Sequence, residues 1–159
     1  MKKVCLSMRE NIANALKEAL KAKDQVALST MRLIAAALKD RDIAARGNDN
    51  PEGISDEEIF GMLQTMIKQR AESAKIYRDG DRPELAANEE AEIEIIKNFL
   101  PTQLSTAEMK QAITKAISET GAGSIKDMGQ VMGYLKAHYA GQMDFSSASQ
   151  DVKAALMAK

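Results

Sequence analysis

Hydrophobic positions recur at helical spacing along almost the whole chain. Ile12, Leu16 and Leu20 fall four apart and predict a first helix with one apolar stripe. Asp24 is placed to accept from the free N–H groups of a second helix. That helix carries Ala27, Met31, Ile34 and Leu38 on one face, with Arg32, Lys39 and Arg41 off it. Arg46 and Gly47 end it, and the run from Asn48 through Pro51 to Gly53 is a loop by its turn chemistry. Ser55 followed by Glu58 forms a capping box, in which Ser accepts from the N–H three residues on and Glu reaches back. The third helix then presents Ile59, Leu63, Met66, Ile67, Ala74 and Tyr77, until Asp79-Gly80-Asp81 breaks it. Pro83 suits the first turn of a fourth helix, where its missing N–H costs nothing, and Leu85, Ile93, Ile96 and Leu100 form the stripe.

Pro101 cannot continue a helix and disfavours the helical conformation at Leu100, which sets a domain boundary there. A second capping box, Ser105 with Glu108, opens a fifth helix with Met109, Ile113 and Ile117, which stops at Gly121. The sixth is expected to start at Ser124-Ile125-Lys126-Asp127, with Met128, Met132, Leu135 and Tyr139 on one side and Gly141 as its end. The seventh runs from about Phe145 to Met157, anchored by Val152 and Leu156. The expectation is an all-α protein: an N-terminal four-helix part, residues 8–100, followed by a small three-helix C-terminal domain, residues 101–159. Residues 1–7 read as a flexible N-terminal extension, with the native start nearer Met8; their basic start lacks the apolar segment of a signal peptide.

Composition supports helix. Aromatics are 4%, Trp is absent and Val occurs four times, so the material for filling a pleated sheet is missing, while 45% hydrophobic residues suffice for a packed core. The charges are 22 basic against 23 acidic. A nucleic-acid binder usually carries a basic excess, so DNA is not expected as a partner and any RNA contact must use a local patch. Cys5 is the single cysteine, so no internal disulfide can form. No apolar run approaches the roughly 18 residues of a membrane span, so no membrane partner is expected and the chain reads as cytoplasmic.

Catalytic chemistry is hard to assemble from these residues. His138 is the one histidine and falls on the lysine-bearing side of its helix, as a solvated residue. Cys5 has no sequence-local base. Glu89, Glu90, Glu92 and Glu94 read as a solvated acidic face, since no ligand of another type accompanies them and no Glu-x-x-His occurs. No phosphate loop is present, and Gly121-Ala122-Gly123 reads as a hinge, no strand leading into it. The expectation is no catalytic residue, no metal and no cofactor.

What remains are binding features. Gly129 and Gly133 lie four apart on the sixth helix, with Ala137 one turn on. Each Gly inside a helix costs about 1 kcal/mol relative to Ala, so the pair needs a reason. One is a tight crossing with the fifth or seventh helix; the other is a smooth face pressed against RNA or a partner protein. Lys126, Lys136 and Lys153 could line one side of the small module as phosphate contacts. In the N-terminal part, Lys68, Arg70, Lys75, Arg78 and Arg82 make a basic stretch. For both sets the plain alternative is a charged, solubilising helix face.

The run Lys126-Asp127-Met128-Gly129-Gln130-Val131-Met132-Gly133-Tyr134-Leu135, with Gly141, Asp144, Val152-Lys153 and Leu156 after it, resembles the signature of the GatB/YqeY family. Upstream, Lys68-Gln69-Arg70-Ala71-Glu72-Ser73, Gly80, Arg82, Leu85-Ala86, Glu89, Glu92 and Leu100-Pro101-Thr102-Gln103-Leu104 resemble the free-standing YqeY type, as do Ala19 to Asp24 and Met31-Arg32. The resemblance implies an all-helical fold whose C-terminal part is similar to the tail domain of GatB. GatB is a subunit of the glutamine-dependent aminoacyl-tRNA amidotransferase, where the tail grips the outer corner of tRNA and catalysis lies elsewhere. Similar modules are appended to some glutaminyl-tRNA synthetases. It thus implies a non-catalytic accessory module, with tRNA and an amidotransferase or synthetase as partners. A helical protein–protein adaptor without RNA binding is the alternative that the balanced charge favours. Gln130 stands where members often carry Lys, and Ala140 to Ser149 contain no basic residue, so charge-driven affinity is reduced there.

Overall fold

The computed structural model describes residues 6–158, and these are helical, without strands. The helices are α1 (Met8–Ala22), α2 (Gln25–Gly47), α3 (Asp56–Asp79), α4 (Pro83–Lys97), α5 (Thr106–Thr120), α6 (Met128–His138) and α7 (Phe145–Met157); a single 3₁₀ turn, Ile125–Asp127, precedes α6. The all-α expectation stands. Cys5 and most of the expected extension lie outside the described residues. Ser7, assigned to that extension, instead belongs to α1 as its N-cap. Its hydroxyl accepts from Glu10 N–H, and the Glu10 carboxylate accepts from Ser7 N–H at 2.8 Å. The same reciprocal box opens α3 and α5, at Ser55/Glu58 and Ser105/Glu108, and Asp24 accepts from Ala27 N–H at 3.0 Å to cap α2.

Residue contacts divide the chain into two compact units, Met1–Leu100 and Pro101–Lys159. In the first, α1 pairs with α2 and α3 with α4, and α2 packs on both α3 and α4. Met31, Ile34, Ile59, Met62, Leu63 and Ile96 form its centre and are fully buried. Burying each such side chain contributes on the order of 1.5–3 kcal/mol. The α1 stripe is rotated from its expected line: Ile12 and Ala19 are buried, whereas Leu20 is 59% exposed.

Two polar clusters fix the register of this unit. Asp42 on α2 is chelated by both terminal nitrogens of Arg9 from α1, with Nη2 donating to Oδ1 at 2.8 Å. The same carboxylate accepts from Ile54 N–H at 3.0 Å, and Arg9 donates to the Ile54 carbonyl at 2.6 Å. The end of the α2–α3 loop is thereby tied to both helices. Gly53 sits inside this knot at φ 87°, where a Cβ would collide with the Asp42 carboxylate. Between α3 and α4, Arg70 Nε donates to Glu92 at 2.7 Å and Arg78 to Glu90 at 2.5 Å. The expected solvated acidic face is therefore corrected: Glu90 and Glu92 are half-buried and pair with arginines of α3.

The second unit has a core of alanines and larger aliphatic residues. Ala112, Ile113, Ala116, Val131, Leu135, Ala148, Val152 and Leu156 are buried together, bringing α5, α6 and α7 close. The segment before α5 is tied to the α6–α7 turn: Leu104 N–H donates to the Gln142 carbonyl at 2.9 Å, and Gln103 Nε2 donates to the Gly141 carbonyl.

Candidate nucleic-acid interface

The placement of α6 follows from what precedes it. Gly121 closes α5 in the left-handed conformation, φ 66°, which few residues other than Gly adopt freely. Asp127 then accepts from Gly123 N–H and Ser124 N–H, each at 3.0 Å. These bonds, the one from Gly123 foremost, hold its carboxyl below the usual carboxylate range. The expected hinge at Gly121–Gly123 is a hydrogen-bonded turn. Asp127 commits its carboxylate to this turn and makes no side-chain cap bond to α6.

Val131 and Leu135 are the buried pair on α6, in contact with the α5 and α7 core. At 3.6 residues per turn, Gly133 stands on the opposite side, with Gly129, Ala137 and Lys136 beside it. All four are exposed. A Cβ built on Gly129 or on Gly133 meets nothing within 4 Å. The tight helix crossing offered by the sequence as one reason for these glycines is thereby overturned: neither α5 nor α7 covers them. The result is a smooth strip of Gly129, Gly133 and Ala137 on the solvent side of α6.

Lys136 lies in register with this strip, seven residues after Gly129. Lys126 is exposed in the 3₁₀ turn just ahead of it, rather than on α6 itself. Lys153 is exposed on α7, a helix that meets α6 through Ala148, Val152 and Leu156 on the side away from the glycines. Lys136 thus shares the strip's side of α6, while Lys126 stands in the turn that leads into the helix and Lys153 belongs to α7. His138 is exposed, as expected; its ring stacks on Tyr134 with centroids 4.0 Å apart, and Nδ1 lies 2.9 Å from the Tyr134 carbonyl.

The basic stretch of the first unit is less of a patch than its sequence suggests. Arg70 is held by Glu92 and also donates to the Met66 carbonyl, with only 13% of its side chain exposed. Arg78 is paired with Glu90. Lys68 and Lys75 are exposed on one face of α3, but exposed Glu72 and Asp79 alternate with them, and Arg82 occupies the N-cap of α4. Arg70 and Arg78 therefore have intramolecular partners that compete with any phosphate.

Sequence reasoning missed the Arg9–Asp42–Ile54 knot, whose parts are 33 and 12 residues apart. It also missed the openness of the glycine strip, although the Val131/Leu135 spacing carried that signal. Among the described residues no group of three or more His, Cys, Asp or Glu is gathered as a metal would require, and no helix is long and apolar enough to cross a membrane.

A model of the family described as Yqey-like protein matches residues 9–156. A Lachancea thermotolerans protein, "Altered inheritance of mitochondria protein 41, mitochondrial", is 33% identical over 112 residues, 69% of this chain and 57% of that protein. The Saccharomyces cerevisiae (strain YJM789) protein of the same name is 30% identical over 126 residues, 76% of this chain and 65% of its own length. The chain thus spans less than two thirds of the length of these curated relatives.

Proposed function

Since the chain belongs to the YqeY-like family, we propose that it is a non-catalytic, tRNA-associated accessory module working beside an aminoacyl-tRNA amidotransferase or synthetase. The observation that carries this reading is the uncovered strip on α6. Two glycines inside a helix cost about 2 kcal/mol together relative to alanines, and no internal packing repays that cost. Close approach of an outside body to the α6 backbone does. The resemblance of the α6 motif to the GatB/YqeY signature suggests tRNA as the body, and Lys126 and Lys136 would supply cations for phosphate oxygens. The compartment is an aqueous one in which tRNA is charged, cytoplasmic or, as in the named relatives, mitochondrial.

The test is tRNA affinity of the full chain, by fluorescence anisotropy across a salt series. Because the space above both glycines is open, Gly129→Leu and Gly133→Leu should fold normally and still lose about tenfold or more in affinity by blocking backbone approach. Lys126→Ala and Lys136→Ala should weaken binding and flatten the salt dependence by about one counterion each. Unaltered tRNA affinity in all four variants at low salt would move the reading to a protein adaptor without RNA binding, which the 22-to-23 charge balance favours.

A further inference from the structure

A second surface lies wholly within the first unit, and its chemistry differs from that of the α6 strip. α1 and α2 enclose an open cleft of about 340 Å³. Its floor is apolar: Ile12, Ala13 and Leu16 from α1, Leu38 and Ile43 from α2. Leu20 follows Leu16 by one helical turn and extends that floor toward the α1–α2 corner. Ile12 and Leu38 at its base belong to the buried core, whereas Leu20 and Ile43 are large apolar groups left in water, 59% and 56% exposed.

Charge along the cleft is one-sided. Among the described residues that line it, Asp42 is the one carboxylate, and Arg9 already neutralises it. That leaves Lys39 and Arg46 as an excess. Arg32 stands seven residues before Lys39, as Arg46 stands seven after. The three therefore form one line along α2, about 10.5 Å apart at 1.5 Å rise per residue. All three are exposed, and among the described residues none of them forms an ion pair.

An apolar seam beside a row of cations at seven-residue spacing is the complement of one particular object. An α-helix with an apolar stripe and acidic residues repeating every seven positions would lay the stripe on the floor and its carboxylates against the row, as flanking charges do in coiled coils. Nucleic acid fits less well, because a phosphate backbone offers nothing to an Ile/Leu floor and would leave it hydrated. We propose that the α1–α2 groove docks an acidic amphipathic helix of a partner protein. The groove uses none of the residues invoked for tRNA, so the two proposals stand or fall separately.

The experiment uses the full chain and a fluorescein-labelled helical peptide of about three heptads, with Leu along the stripe and Glu at the flanking positions. The control peptide has Lys in place of every Glu. The Glu peptide should bind about tenfold or more tighter than the Lys peptide, and added salt should narrow the gap. Combining Arg32→Glu, Lys39→Glu and Arg46→Glu should reverse the preference. Leu20→Asp, at a solvent-exposed position, should weaken the Glu peptide while the melting temperature stays put, which separates docking from folding. The proposal is overturned if the Glu peptide does not bind, if both peptides bind alike, or if the triple charge reversal leaves the peptide unaffected while abolishing tRNA binding. That last outcome would make the groove an RNA surface.

Discussion

Replacing Gly129 and Gly133 by Ala tests the physical premise on which the α6 strip rests. Neither added methyl meets an atom within 4 Å, so neither can overpack. Both positions lie inside α6 (Met128–His138), where Gly is disfavoured by its extra backbone freedom in the unfolded chain. Each substitution should stabilise the protein by about 1 kcal/mol, and the pair by about 2 kcal/mol. With a urea dependence of about 2 kcal/mol per molar, the midpoint for unfolding of α6 should rise by about 1 M. Circular dichroism at the helix band, followed across a urea titration, reads this directly. Gly121→Ala is the internal control. It also meets no atom, but its φ of 66° places a Cβ in the left-handed region, so it should destabilise by about 1–2 kcal/mol. The same chemical change thus carries opposite signs at positions in one unit, decided by backbone angle alone. A double variant at Gly129 and Gly133 that is destabilised would refute the reasoning, because it would mean that some part of the protein packs against the strip.

Asp42→Asn should cost about 1.5–3 kcal/mol at neutral pH, by removing a carboxylate that accepts from Arg9 and Ile54. The Arg9 hydrogen bonds, first among its neighbours, hold the Asp42 carboxyl below its ordinary value of 3.8. A depressed folded value means that this stability is complete above the unfolded value and is lost as pH falls through the folded one, so the gap to Asp42→Asn should close only in acid below 3.8. Urea unfolding of both proteins at a series of pH values checks the sign, and a gap that instead widened in acid would contradict it. Gly53→Ala should be more damaging than Gly121→Ala, by more than about 2 kcal/mol, because the φ of 87° is compounded by collision with Asp42; equal melting temperatures for the two variants would count against the Arg9–Asp42–Ile54 knot.

What the sequence made legible was what hydrogen bonds within four residues decide. The boxes at Ser55/Glu58 and Ser105/Glu108, the Asp24 cap, the Pro83 start and the Gly121 stop all involve groups that meet as soon as the local helix forms. Ser7/Glu10 obeys the same rule and is equally readable, but an extension ending at Ser7 hides it. What was not legible depends on how helices sit side by side. Leu20 belongs to the periodic stripe of α1, but burial follows Ile12 and Ala19 and leaves it exposed, and a stripe alone cannot say how wide its cover is. Arg70 looks like its basic neighbours until α4 delivers Glu92 from 22 residues away.

The glycines show why a candidate site is harder to read than a fold. Their helix cost is a local quantity, visible in the sequence, and it says only that some benefit must offset it. A buried crossing and an exposed contact provide that benefit equally well in one dimension. The distinction lies in which side of α6 carries Val131 and Leu135, and these stand opposite Gly133. Once that side is fixed, packing within the unit drops out as the benefit, and this is what supports the proposed contact with an outside body. The same logic separates the two basic sets. Lys126 and Lys136 are exposed and unpaired among the described residues, and Lys136 stands by a face that nothing within the unit covers, whereas Arg70 and Arg78 stabilise the α3–α4 pairing and would have to give up Glu92 and Glu90 to hold a phosphate. For Arg70, with 13% of its side chain exposed, that exchange would strand a partly desolvated carboxylate, so a phosphate is the weaker competitor there.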